Sequence, residues 1–169
     1  MLEEDVIHER VDHLIEERLP WILLGLLGGL LGTFFLAKFE DILSTDLRLA
    51  FFIPIVVYLG DTIGTQSEAI YMRSLEKGQI HFGKYLLKES LVGFGFGIIA
   101  GLASGIFAGY WLDSFAVAIT IALTMLVNLT LAPVLAITIP TILYREHKDP
   151  ALGATPLATI LQDMISLFV

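Results

Sequence analysis

Within the stretch YLGDTIGTQSEAIYM, residues 58–72, Asp61 and Glu68 stand seven residues apart with Thr62, Thr65, Gln66 and Ser67 between them. A spacing of seven puts two side chains on one face of an α-helix, two turns apart. The surroundings are apolar, beginning with LAFFIPIVV at residue 49. A second such place is DPALGATPLATILQDMISLFV, residues 149–169, where Asp163 has no Lys or Arg anywhere in its segment. Carboxylates and hydroxyls are hard oxygen ligands of the kind that Mg²⁺ and Ca²⁺ take. An acid placed at mid-bilayer costs about 2.5–3.5 kcal/mol on insertion scales, so it reads by default as an ion, proton or substrate site. Asp149 before Pro150 fits a helix cap followed by a proline in the first turn, as well as it fits a functional acid.

That these acids lie in a membrane follows from the whole chain. It is 56% hydrophobic and 17% charged, with a mean hydropathy of +0.78. Apolar runs of roughly twenty residues recur, each long enough to cross ~30 Å of hydrocarbon as a helix. The expectation is an all-α integral membrane protein, set in the cell (plasma) membrane. With no cysteine, thiolate metal sites and disulfides are excluded. The four histidines fall outside the apolar runs, which argues against a buried imidazole cluster. A net charge of −8 disfavours a nucleic-acid partner, which needs a basic surface.

Five spans are expected, over residues 20–37, 49–72, 85–109, 115–143 and 151–169, with residues 1–19 forming a short amphipathic cytosolic helix. With the N-terminus inside, the inner segments hold Arg10, Arg18, Arg73, Lys77, Lys84, Lys88, Arg145 and Lys148, and the outer ones only Lys38 and Arg48. That asymmetry predicts N-in and C-out. Pro54, Gly60 and Gly64 predict loosened helix near Asp61. In the third span Gly93, Gly97, Gly101, Gly105 and Gly109 recur every fourth residue, a small-residue stripe for close helix packing, inside the chain or between two chains. In the fourth, Asn128 is either an interhelical tie or a pore-lining amide.

PIVVYLGDTIGTQSEAIYMRSLEKGQI resembles the second-helix signature of the MgtE family of magnesium transporters, a proline-led span followed by G-G-N-x-G-x-Q-S and a basic exit. DPALGATPLATILQDMISL resembles that family's fifth-helix signature. The resemblance covers most of residues 20–169 and implies a five-helix, homodimeric cation-transport domain with the ion path on the two-fold axis. Carried over by motif, Asp163 meets hydrated Mg²⁺ from both subunits, while Asp149, Ala151 (through its backbone) and Thr155 line the inner part of the path. Asp61 stands where the family has a glycine of G-G-N, and Thr62 where it has the asparagine, departures that bear on ion preference. The family's cytosolic sensing region with CBS modules has no counterpart in residues 1–19, so the chain resembles a free-standing or excised pore unit.

The expected function is therefore transport of Mg²⁺ and other divalent cations as cargo, with no resident cofactor and no enzymatic activity. The expected metal ligands are Asp163, Asp149, Asp61 and Glu68, and the expected pore lining is Ala151, Thr155, Thr65, Gln66, Ser67 and Asn128. An exchanger coupling Mg²⁺ to Na⁺ or H⁺ is the alternative within transport. An intramembrane aspartyl protease is a third reading, since YLGD is similar to a G-x-G-D motif, though Tyr58 stands where that motif needs glycine.

Overall fold

The computed structural model describes residues 10–75, 81–145 and 150–169. Every element among them is helical. These are α1 (Val11–Ala37), α2 (Glu40–Thr45), a 3₁₀ turn (Leu49–Phe52), α3 (Ile53–Leu75), α4 (Phe82–Leu112), α5 (Phe115–Arg145) and α6 (Pro150–Phe168). Four segments are long and apolar enough to cross a bilayer: Val11–Ala37, Leu49–Leu75, Phe82–Leu112 and Phe115–Tyr144. The apolar part of α6, Pro156–Phe168, is shorter.

The first helix departs from the expected break. From Val11 it runs without interruption through Pro20 into the apolar span; residues 1–9 lie outside the described residues. Val11 and Ile15 are exposed, so these two apolar residues are not buried against the described residues.

The centre of the bundle is α5. Met125, Asn128, Leu129, Ala132 and Ile137 on it are fully buried, and α3, α4 and α6 all pack on it. In turn α6 lies against α1, α3 and α5. The glycine stripe of α4 faces α5 of the same chain. An added Cβ would stand 2.9 Å from the Leu126 carbonyl oxygen at Gly97, 2.7 Å from that of Ala122 at Gly101 and 2.9 Å from that of Ala118 at Gly105. Gly93 meets the Leu129 carbonyl in the same way. Pro133 lies four residues after Leu129 and has no N–H to give that carbonyl. The freed oxygen is therefore covered by the glycine backbone of α4, at the approach that Cα–H···O contacts use.

A short clasp closes the connection between α2 and α3. Arg48 donates from Nε and Nη2 to the Asp46 carboxylate, each at 2.7 Å, and from Nη1 to the Leu112 carbonyl at 3.2 Å. That carbonyl belongs to the C-terminus of α4, where Asp113 takes a left-handed conformation with φ 48°. The bond supplies a donor to one of the helix-end carbonyls that have no partner within the helix.

Candidate functional site

The expected loosening of α3 is not found. The helix is unbroken from Ile53 to Leu75. Pro54 sits in its first turn, where a proline removes no helical hydrogen bond. Gly60 and Gly64 are instead points of close packing. A Cβ at Gly60 would stand 2.7 Å from both Asn128 Nδ2 and Gln162 Nε2. The absent side chain makes room for two amides that join three helices.

Those amides form a directional network. Asn128 donates from Nδ2 to the Val56 carbonyl on α3 at 2.8 Å. Its Oδ1 accepts from Gln162 Nε2 at 3.0 Å and from the Ser166 hydroxyl at 2.9 Å, both on α6. Asn128 is fully buried. Of its two expected roles, these bonds support the tie between helices; it presents no surface to a pore within this chain.

Asp61 and Glu68 do share a face. Both line a narrow cleft between α3 and α6, with Gly64, Thr159 and Gln162 around them and Ala132 and Ala136 of α5 as a wall. The Thr159 hydroxyl donates to Asp61 Oδ1 at a long 3.4 Å. Asp163 follows Thr159 by one helical turn on α6. It is half-buried and near enough to Asp61 for the two charges to act on each other. Among the described residues neither acid has a Lys or Arg partner.

The remaining sites divide. Thr65 and Gln66 are exposed on α3; Thr65 stands at the edge of the cleft that Asp61 and Glu68 line, and Gln66 does not line it. Ser67 turns away from Asp61 and is buried, donating to Glu89 Oε2 on α4 at 2.8 Å; within this chain it is a packing contact, not part of the Asp61 face. Asp149 lies outside the described residues. Ala151 and Thr155 fall in the first turns of α6, where side chains are not among those described.

Four polar residues were missed by sequence reading. Thr159, Gln162 and Ser166 join Asp163 on one stripe of α6, a spacing of three, four and seven that marks a helix face. Glu89 is 8% exposed near the start of the third span, next to Lys88 in the sequence. Nearby, Thr141 gives its proton to the Ile137 carbonyl at 2.6 Å, so the Tyr71 hydroxyl donates to Thr141, also at 2.6 Å.

Four helices long and apolar enough to cross a bilayer define a multi-pass membrane protein. Comparison with known proteins agrees. The profile of the MgtE family, described as divalent cation transporter, matches residues 53–169. The chain belongs to this family, whose members are transporters and not enzymes, and the protease reading falls with that. It is 30% identical to the magnesium transporter MgtE of Bacillus subtilis over 155 residues. It is 30% identical to that of Enterococcus faecalis over 156 residues and 27% identical to that of Thermus thermophilus over 158. Each match takes in 90% of this chain and 34% of the relative, so the chain spans about a third of the length of these relatives.

Proposed function

We propose that this chain forms the pore of a homodimeric transporter that carries Mg²⁺ into the cell down its electrochemical gradient, across the plasma membrane. Residues 20–169 make a five-span domain with the N-terminus inside and the C-terminus outside. The reading takes its cargo from the relatives, each named a magnesium transporter.

The observation that carries it is Asp163, a half-buried acid in an apolar helix with no cationic partner among the described residues. Two copies facing each other across a dimer axis repel unless a cation lies between them. A divalent ion relieves that repulsion more than a monovalent one. Mg²⁺ gives up its water reluctantly, so carboxylates that meet it through its hydration shell hold it loosely enough to release it, which conduction requires. Asp61, on the facing helix, adds negative potential at the same place. Thr65 and Gln66 on the exposed face of α3, with Asp149, Ala151 and Thr155 at the start of α6, continue the path inward, and Glu68 stands along it.

The test is Mg²⁺ flux into liposomes under an imposed membrane potential with no counter-ion gradient. Wild-type protein takes up Mg²⁺. Asp163→Asn keeps the shape and the dimer but loses at least ~10-fold in flux, the loss expected from removing about 1.4 kcal/mol of ion stabilisation. Full flux with unchanged ion preference in Asp163→Asn defeats the reading.

A further inference from the structure

One polar atom in the cleft between α3 and α6 has no partner. Gln162 is 4% exposed, and its side-chain Oε1 is buried with no hydrogen bond among the described residues. A buried acceptor left without a partner is costly. Turning the amide over would not help. Asn128 is oriented by its bond to the Val56 carbonyl, so it offers Gln162 an oxygen, and the Ser166 proton goes to that same oxygen. Gln162 must therefore direct its nitrogen there. Its oxygen is left for the cleft it lines with Asp61 and Thr159. Asp61 itself has one donor among the described residues, the Thr159 hydroxyl at 3.4 Å. Glu68 and Thr65 also line the cleft; beside them the wall offers three oxygens to a positive charge, the Asp61 carboxylate, the Thr159 hydroxyl and the Gln162 amide carbonyl.

The size of the space restricts the occupant. About 10 Å³ is open to the centre of a water molecule, room for about one small sphere. Hydrated Mg²⁺ does not fit, and Mg²⁺ sheds its water reluctantly. A weakly hydrated small cation fits better, with protein oxygens replacing its water as carbonyls do in selectivity filters. Glu68, the second carboxylate of the cleft, has an interaction of its own, so Asp61 is the acid left to balance one positive charge. Ala132, Ala136 and Ala158 add apolar wall without competing donors.

We propose that each protomer holds a dehydrated Na⁺ in this cleft, on Asp61, Thr159 and the Gln162 carbonyl, apart from the Mg²⁺ path through Asp163. The ion joins α3 to α6. Its effect on transport rests on the proposed Mg²⁺ reading: a positive charge at Asp61 competes with cargo at the neighbouring Asp163, so Na⁺ and Mg²⁺ oppose each other. The binding site itself does not depend on that reading.

The experiment measures thermal unfolding of the purified full chain in nanodiscs, in EDTA without Mg²⁺. NaCl, KCl and choline chloride are compared at constant ionic strength, and ²³Na line broadening is recorded on the wild type. Na⁺ is expected to raise Tm saturably by a few degrees, K⁺ much less and choline not at all. The Na⁺ increment and the broadening are lost in Asp61→Asn and in Thr159→Val, the second serving where the first does not fold, and both persist in Asp163→Asn. Equal Tm in Na⁺ and choline with no broadening overturns the proposal, leaving water as the occupant. So does a Na⁺ effect lost in Asp163→Asn but kept in Thr159→Val, which would put the ion on the pore acid. Since no flux is read, failure here leaves the Mg²⁺ reading standing, and flux failure in Asp163→Asn leaves this site standing.

Discussion

The α4–α5 seam and the α3–α6 seam use glycine for opposite ends. Along α4 the glycines bring backbone against backbone, with carbonyls of α5 within 2.9 Å of where a Cβ would sit at Gly97, Gly101 and Gly105. From Gly93 to Gly109 the stripe meets backbone and side chains of α5. On α3, Gly60 opens the same kind of gap, but Asn128 Nδ2 and Gln162 Nε2 enter it. The seam below it holds Asp61, Glu68 and Thr159. Between helices in lipid there is no hydrophobic drive to associate, so close van der Waals packing and hydrogen bonds do the work. One seam uses the first of these and holds the bundle's shape. The other uses the second, and it keeps polar groups between apolar helices.

The strongest way to break that contrast is to fill the α4–α5 seam. Gly101→Leu forces a branched side chain where a single carbon already stands 2.7 Å from the Ala122 carbonyl oxygen. The two helices must separate, and loss of several kcal/mol and of monodisperse protein is expected on size exclusion, typical of severe overpacking. Gly95→Ala is the matched control, with open space around it; its Tm stays within a degree or two of the parent.

A smaller effect separates shape from function in the polar seam. Asn128→Ala removes the acceptor of Gln162 and Ser166 and the donor to Val56. Stability should fall by about 1–3 kcal/mol, read as a lower Tm, while ion preference in the liposome assay is kept because Asn128 is a tie and not a ligand. Altered selectivity at unchanged Tm would reverse the assignment.

The least effect is expected at the clasp of Arg48 and Asp46. The hydrogen bond from Arg48 holds the Asp46 carboxyl below the usual carboxylate range. A lowered folded-state value means the contribution is present above the unfolded pKa, about 3.9, and is lost as pH falls through the lower folded value. The pair is solvent-facing and screened. Arg48→Gln should therefore leave Tm little changed at pH 7 and make the acid limb of the Tm profile below pH 4 shallower. An unaltered acid limb would mean that the clasp does not act through Asp46.

Much of this molecule is legible in its residues. Apolar runs about as long as the bilayer is thick can satisfy their backbone in lipid only as helices, so the helical segments and most of their limits follow from composition and length. The fourfold spacing of Gly93 to Gly109 marks a packing stripe, and an acid such as Asp163 stands out in an apolar run because it is costly there. Which helix receives the stripe is not contained in the spacing; it is decided where the carbonyl freed by Pro133 meets Gly93. Gly60 and Gly64 read as weak points along the chain, since a glycine's cost is local while its benefit lies on another helix. Ser67 and Asp61 are six residues apart and both polar, yet one meets Glu89 on α4 and the other meets Thr159 on α6. Gln162 is an ordinary polar residue until Asn128, itself oriented by a carbonyl 72 residues away, turns its nitrogen one way and leaves its oxygen facing the cleft. Hydrogen-bond direction is set by partners from distant parts of the chain, and only the packed bundle brings them together.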